Sequence, residues 1–252
     1  MTSSPASSST TRIAVVTGAA NGLGRLIAEE LHRQGHRVVL TDRDGSAARD
    51  TARALGDNTL GLTLDVLDKG AFEQVLAEVQ RTWGTPQVLV NNAALTLTTP
   101  VLKITPEEFS HVLDVNLRGT FLGCQVFGAA MAEAGHGRIV NLASLAGQNG
   151  GTASGAHYAS SKAGILTLTK IFAREFAARG VTVNAVAPGP MDLPSVHAAV
   201  PPERLAQLVQ NIPVQHLGEP RFVARLVALL TDADAGFATG AAWDVNGGIF
   251  MR

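Results

Sequence analysis

The sequence predicts an α/β fold: a single-domain, Rossmann-like, doubly wound parallel sheet of about seven strands with helices on both faces. Three observations predict it. Short β-branched runs with little polar alternation recur along the chain, the pattern of strands buried on both sides. Segments with helical periodicity separate them, so successive strands are joined by crossovers and run parallel. The first junction between such a strand and helix is rich in glycine, Gly18-Ala-Ala-Asn-Gly22-Leu-Gly24. At 252 residues, 46% apolar and 16% charged, the chain is long enough for one sizeable core, and residues 12–252 are expected to form one domain.

Residues 1–11 are mainly Ser and Thr and read as a disordered tail, neither a secretory signal nor an anchor. Arg12-Ile-Ala-Val-Val-Thr17 is the first expected strand, and Arg25–His32 the first helix. The glycines between them suit a turn that must take conformations closed to other residues and let a pyrophosphate approach its amides. A helix N-terminus behind that turn offers unpaired N–H groups to the anion, although an ordinary strand-to-helix turn also favours glycine. Arg37–Asp42 is a second strand closing on a carboxylate 18 residues beyond Gly24. A carboxylate there can accept from both ribose hydroxyls and repels a 2′-phosphate, which favours NAD over NADP; the adjacent Arg43 points the other way, and the turn Asp42-Arg-Asp-Gly45 is the plain structural reading. Further strands are expected at Leu60–Leu64, Gln87–Asn91, Arg138–Ala143, Val181–Val186 and Ala242–Val245. Helices are expected at Ala71–Thr82, Pro106–Glu133, Tyr158–Ala178 and Pro220–Thr231.

Composition excludes several classes. A net charge of -1 without a basic run gives no electrostatic footprint for nucleic acid or an anionic membrane. No apolar run is long enough and free enough of breakers to span a bilayer, so a cytoplasmic protein is expected. The single cysteine, Cys124, lies in an apolar stretch and reads as a buried, inert thiol. No Cys/His metal set can be written, and no metal is expected.

In a sheet of this kind the ligand lies outside the carboxyl ends of the strands, where strand order reverses. Thr17, Asp42, Asp65, Asn91 and Ser144 each close or follow an apolar run and are expected at that crevice. Tyr158-Ala-Ser-Ser-Lys162 adds a phenol and an ammonium on one helical face. An ammonium roughly 4 Å from the phenol oxygen stabilises a phenolate by up to about 4 kcal/mol, so the pair is expected to lower the tyrosine pKa towards neutrality. A phenol so tuned can trade protons with an alcohol or carbonyl oxygen, but this spacing also fits a surface tyrosine.

Together these residues resemble the short-chain dehydrogenase/reductase family over nearly the whole chain, Ile13 to Gly248. Thr17-Gly18-Ala-Ala-Asn-Gly22-Leu-Gly24 looks like its T-G-x-x-x-G-x-G turn, and Asn91-Asn92-Ala93-Ala94 is close to its N-N-A-G segment. Asn116, Ser144, Tyr158 and Lys162 stand where the family has its catalytic tetrad; Pro188-Gly189 matches the turn beside the nicotinamide, and Trp243–Gly248 the C-terminal signature.

The resemblance implies an NAD-dependent oxidoreductase interconverting a secondary alcohol and its ketone. It makes Tyr158 the general base of oxidation and Ser144 a hydrogen-bond partner of the substrate oxygen. Lys162 would lower the tyrosine pKa and hold the nicotinamide ribose, while Asn116 would anchor a proton-relaying water. Thr17, Gly18, Asn21, Gly22, Leu23, Gly24, Asp42, Arg43, Asp65, Val66, Asn92, Ala93, Ala94, Tyr158, Lys162, Pro188, Gly189 and Met191 would line the cofactor site. Two departures stand out. Leu193 replaces the family's usual threonine, leaving the Met191 backbone to hold the carboxamide, and Ala94 replaces a glycine. Gln148, Ser144, Tyr158 and Leu193 are expected to meet the substrate, with a lid around 190–215. Leu97, Met191 and Val196 suggest an apolar pocket, where Gln148 and His157 offer neutral hydrogen bonds. His157 reads first as a helix-start residue. A homo-oligomer, a tetramer by resemblance, would use the Phe121–Met131 helix face and the Gly247–Met251 tail. An NADP-dependent carbonyl reductase and a non-catalytic NAD(H) sensor or scaffold remain alternatives.

Overall fold

The computed structural model describes residues 11–151 and 155–251. Residues 1–10 of the expected tail and residues 152–154 of the loop before Tyr158 lie outside the described residues. Seven strands form one parallel sheet: β1 (Ile13–Thr17), β2 (Arg37–Asp42), β3 (Thr59–Thr63), β4 (Val88–Asn91), β5 (Gly137–Leu142), β6 (Val181–Pro188) and β7 (Ala242–Val245). Their spatial order is β3-β2-β1-β4-β5-β6-β7. The chain winds outward from β1 to one edge, then crosses to β4 and winds to the other. The strand order therefore reverses between β1 and β4, which opens a crevice at their carboxyl ends.

Both faces of the sheet are buried because alternate side chains each find a helical layer. Ile13 and Val15 of β1 join a cluster with Phe72 and Val79 of α3 (Lys69–Thr82), Phe127 and Met131 of α5 (Gly119–Glu133) and Phe176 of α7 (Ala156–Phe176). Ala14 and Val16, the intervening residues, join Ile27 and Leu31 of α1 (Gly22–Arg33) and Val223 and Val227 of α10 (Pro220–Leu230). A one-residue slip in register would exchange these two sets, and pairing of Val15 with Val39 and Leu89 fixes it.

Three expectations about elements are corrected. The turn at Asp42–Gly45 leads into a helix absent from the sequence reading, α2 (Gly45–Leu55), whose N-cap Asp44 accepts from the Ala47 amide at 3.0 Å. The single helix expected over Pro106–Glu133 is divided into α4 (Pro106–Leu113) and α5 by a five-residue π turn, Asp114–Arg118. Between β6 and α10 the chain forms two short helices, α8 (Pro194–Ala199) and α9 (Pro202–Gln210), each started by proline. A short α6 (Ala146–Asn149) follows β5. Among the described residues no helix is long and apolar enough to cross a membrane.

Candidate active site

The glycine turn is shaped by its neighbour, the segment after β4. Gly18 has φ +63°, and a Cβ there would lie 2.8 Å from the Ala93 Cα; a Cβ on Gly24 would lie 2.4 Å from the side-chain Nδ2 of Asn92. Asn92 explains the tightness, since its Nδ2 donates to the carbonyls of Thr17 and Gly18 at 2.9 and 3.0 Å. The Thr17 hydroxyl accepts from the amides of Asn92 and Ala93, each at 3.0 Å. Gly22 differs: at φ +56° a Cβ would meet nothing within 4 Å. It opens α1, where the side chain of the N-cap Asn21 makes no capping bond. Donors at Gly22, Leu23 and Gly24 therefore face an open position at a positive helix end, which fits a dinucleotide pyrophosphate.

Beyond that turn, Asp42 accepts from the Ala20 amide at 3.3 Å and from the Asp44 amide at 3.1 Å, so its carboxylate is fixed beside the glycine turn. Arg43 is exposed next to it. Asp65 is exposed and accepts from the Leu67 amide, while Val66 packs against Gly119. Ala94 is exposed without a positive φ, so an alanine in place of glycine brings no backbone strain. Asn91 does not join the crevice as expected. It is buried, with Nδ2 donating to Asn141 Oδ1 at 2.8 Å and lying 3.4 Å from the Cys124 sulfur. Burial pushes the Cys124 thiol up to about 12, consistent with an inert side chain.

On the other side of the switch point, the Gly189 amide donates to Val245 and the Pro188 carbonyl accepts from Leu145, so the Pro188-Gly189 turn is braced by β7 and the β5 loop. Met191 is buried and bridges to Gly218. Leu193 is half-buried against the layer holding α1 and α10. Gln148 donates from Nε2 to Asp244, and its Oε1 is buried without a partner.

The four tetrad positions come together around the start of α7. Asn116 is fully buried in the π turn; its Oδ1 accepts from Leu95 N at 2.7 Å, and its Nδ2 donates to Leu95 O and Ser161 Oγ, each at 3.0 Å. The Ser144 hydroxyl accepts from Ala146 N at 3.1 Å, and its side chain is one of the influences that favour the Tyr158 phenolate. The Lys162 ammonium is buried and donates to Leu142 O at 2.6 Å, 5.6 Å from the centre of the Tyr158 ring.

One electrostatic expectation is reversed. The Tyr158 pKa is raised, not lowered: burial penalises the phenolate most, and hydrogen bonds from Ser144 and Thr96 oppose it only in part. The four-residue spacing does place both stems on one helical face, but the ammonium donates to the β5 carbonyl of Leu142 and lies 5.6 Å from the centre of the Tyr158 ring. Lys162 meets the same low-polarity surroundings, and burial brings its pKa down to about 8.

His157 does not face a substrate pocket either. It is 0% exposed. Its Nδ1 accepts from Tyr158 N at 2.8 Å, so Nε2 carries the proton and meets Glu108 Oε1 at 2.8 Å. Sequence reasoning missed Glu108, an acidic residue in the first turn of α4 that reads as helix-dipole compensation, and Thr96, one hydroxyl in the run Thr96 to Thr99. A pattern of residue types carries no signal for either, because their partners lie on other elements. Among the described residues no cluster of three His, Cys, Asp or Glu is placed to hold a metal.

Comparison with known proteins agrees with this geometry. A family model described as enoyl-(acyl carrier protein) reductase matches residues 18–250. The chain is 38% identical over 240 residues to the 3-oxoacyl-[acyl-carrier-protein] reductase of Vibrio cholerae, covering 95% of this chain and 98% of that one. It is 37% identical to the Escherichia coli reductase of the same name, with the same coverage. The (3R)-3-hydroxyacyl-CoA dehydrogenase of Mus musculus is also 37% identical, over 95% of this chain and 96% of its own. All three act on a hydroxyl or the ketone that corresponds to it, so an oxidoreductase acting on that couple is supported, and the chain belongs to the short-chain dehydrogenase/reductase family.

Proposed function

We propose that the chain is an NAD-dependent oxidoreductase that interconverts a 3-hydroxyacyl group and the corresponding 3-oxoacyl group, with Tyr158 as general acid and base. The carrying observation is the convergence of Ser144, Tyr158, Lys162 and Asn116 at the carboxyl ends of β4 and β5, next to an uncapped α1 N-terminus. The acyl substrate class rests on the relatives' activities, and an apolar wall of Leu97, Met191, Leu193 and Val196 suits such a chain. A bound nicotinamide cofactor supplies or accepts the hydride. Gly22 to Gly24 would hold its pyrophosphate, Asp42 its adenosine ribose, and the Pro188-Gly189 turn with the Met191 backbone its nicotinamide.

This chain's residues manage the proton. With its pKa raised, Tyr158 is protonated at neutral pH and stands ready as the acid of ketone reduction. As the carbonyl carbon is reduced, its oxygen takes the Tyr158 proton while Ser144 hydrogen-bonds the same oxygen. The resulting phenolate is reprotonated from the Lys162 side, where an ammonium with a pKa of about 8 gives up a proton readily. In oxidation the same groups run in reverse. Replacing Tyr158 by Phe is expected to lower kcat by 1,000-fold or more, roughly 4 kcal/mol of barrier, while NADH still binds by fluorescence titration. Normal turnover in that variant would remove the assigned role. A Tyr158→Phe protein that binds NADH, with a wild type that reduces no ketone, would instead mark a sensor.

Cofactor choice is carried by the Asp42 carboxylate, which faces the place of an adenosine 2′-phosphate and repels it. Comparing kcat/KM for NAD and NADP in the wild type and in Asp42→Ser tests this. A preference for NAD that collapses in the variant is expected; a wild type preferring NADP would favour the Arg43 reading and a carbonyl reductase.

For assembly, two apolar surfaces support a homotetramer. Leu113, Leu117, Phe121, Gly164 and Leu168 line an open groove of about 530 Å³ along α4, α5 and α7. Phe222, Leu229, Trp243 and Met251 lie exposed along α10, β7 and the C-terminal segment. Two distinct isologous patches on one chain generate a tetramer of dihedral symmetry. Most of the Phe121–Met131 stretch packs inward, and Phe121 is its exposed large side chain at 37%. Light scattering should read a tetramer that Phe121→Glu reduces to dimers; a monomeric wild type would defeat the proposal.

A further inference from the structure

We propose that His157 and Glu108 form a positioning pair for Tyr158, with the His157 imidazole capping the first turn of α7 and the Glu108 carboxylate of α4 holding that ring in place. The inference deepens the reading above and rests on Tyr158 being the acid and base.

Tyr158 is the third residue of α7, so its amide is one of the donors that a helix start leaves without an intrahelical partner. Such donors are usually met by a side-chain oxygen on the N-cap residue, but the N-cap here is Gly155, which has none. The acceptor comes from inside the helix instead. His157 Nδ1 takes the Tyr158 amide at 2.8 Å. The glycine is part of the same arrangement, since a Cβ on Gly155 would lie 2.3 Å from His157 Cε1 and 2.8 Å from Nδ1. An ordinary capping residue and this imidazole therefore exclude one another. Gly155 is held in turn by its amide, which donates to the Leu97 carbonyl at 2.9 Å.

The other ring nitrogen ties this cap to a neighbouring helix. His157 is fully buried, and its Nε2 meets Glu108 Oε1 at 2.8 Å. A carboxylate opposite Nε2 keeps the proton there, which leaves the Nδ1 lone pair for the Tyr158 amide. Glu108 is anchored at its own backbone, where its amide donates at 3.2 Å to the hydroxyl of Thr105, the N-cap of α4. Helix α4 runs directly into the π turn that carries Asn116. Asn116 Nδ2 reaches Ser161 Oγ, which donates to the Tyr158 carbonyl at 2.7 Å. Side chains thus grip the Tyr158 backbone at both its amide and its carbonyl, and each grip leads back to the α4 segment. A phenol that must meet a substrate oxygen at hydrogen-bond distance needs its backbone fixed beforehand, since a displacement of about 1 Å can cost on the order of 100-fold in rate. The pair acts through Tyr158 and not on the substrate.

Glu108→Ala removes the acceptor, Glu108→Gln keeps one, and His157→Phe keeps a ring without either bond. In Glu108→Ala and His157→Phe, kcat for ketone reduction is expected to fall about 10- to 100-fold. The KM for NADH should stay within about twofold of wild type, because the glycine turn between β1 and α1 is untouched. Glu108→Gln should keep kcat within about threefold of wild type. Tyr158 is the chain's single tyrosine, so tyrosinate absorbance gives a second readout that needs no turnover. Burial holds the Tyr158 pKa up, and loosening the first turn of α7 lets water reach the phenol. The tyrosinate midpoint in Glu108→Ala is therefore expected to drop by about 0.5 pH unit or more and to return in Glu108→Gln. Wild-type kcat in Glu108→Ala or His157→Phe, a wild-type midpoint in Glu108→Ala, an equal loss in Glu108→Gln, or a KM for NADH that rises in step with the loss of kcat would overturn the assignment. Should His157→Phe not fold by circular dichroism, the two Glu108 variants decide alone. Tyr158→Phe separates the two claims. If it turns over, the acid–base reading falls; if it is inactive while Glu108→Ala behaves as wild type, only the positioning role falls.

Discussion

Lys162 shows most directly what the site costs the fold. An ordinary lysine titrates near 10.5, and burial brings this one to about 8. The unfolded chain therefore binds a proton below pH 10.5 that the folded chain accepts only below pH 8, so stability is lost as pH falls through that window and stays lost at neutrality. The penalty is on the order of 3 kcal/mol. Replacing Lys162 by Met removes it but leaves the Leu142 carbonyl without its donor, a loss of about 1–2 kcal/mol. The variant is expected to be more stable by about 1–2 kcal/mol at pH 7 and to have lost turnover, as read by urea denaturation and assay. A variant less stable than wild type would mean that the lysine is held mainly for structure. The lysine and tyrosine were legible in the sequence because spacing on a helix is a local property. The sign of the tyrosine shift was not, because it depends on where the ammonium points and on how much protein covers both groups.

At the scale of elements, the π turn in what reads as one helix does the positioning. Its extra residue per turn turns Asn116 inward, and Thr120 takes up the Asn116 carbonyl at 2.7 Å. Periodicity over Pro106–Glu133 is that of a helix on either side, so the sequence shows a continuous helix and hides the interruption. Helix α2 was missed for a related reason: an Ala-rich segment beginning with glycine has a weak apolar face, and Asp44 reads as a turn residue as easily as a cap. The strands were legible because two buried faces demand unbroken apolar runs. Asn116→Ala tests the turn, since it leaves both Leu95 backbone groups without the side chain that pairs them and leaves the Ser161 hydroxyl only its bond to the Tyr158 carbonyl. A loss of about 2–4 kcal/mol is expected, with faster hydrogen exchange confined to the segment 93–99 and the start of α7. Exchange spread evenly over the sheet would instead mean a general loss of stability.

Across the whole molecule the two ends of the sheet do different work. Polar groups at the carboxyl ends gather around the candidate active site, whereas those at the amino ends fasten the fold. There Arg12 donates to the Thr231 carbonyl and stands 3.2 Å from the His136 ring, while Arg138 donates to the carbonyls of Asp232 and Ala233, so β1 and β5 grip the C-terminal end of α10. Favourable cation placement at a helix C-terminus has a consequence for the histidines beside it. Burial, with the Arg12 charge adding to it and Asp232 opposing, lowers His36 to about 4, and its Nδ1 is buried without a partner. His136 is lowered in the same direction, by burial first and then by Arg138 and Arg12. Both are neutral in the fold, so the unfolded chain takes up protons below about pH 6.5 that the folded chain refuses. Stability should therefore decline as pH falls from 6.5 to about 4, over a range where Tyr158 and Lys162 do not change charge. Thermal melts between those limits are expected to show a falling midpoint in the wild type and a shallower one in His36→Gln, with NADH affinity at pH 7 unaltered. A variant that loses stability with the same slope would place the acid sensitivity in groups other than this cluster.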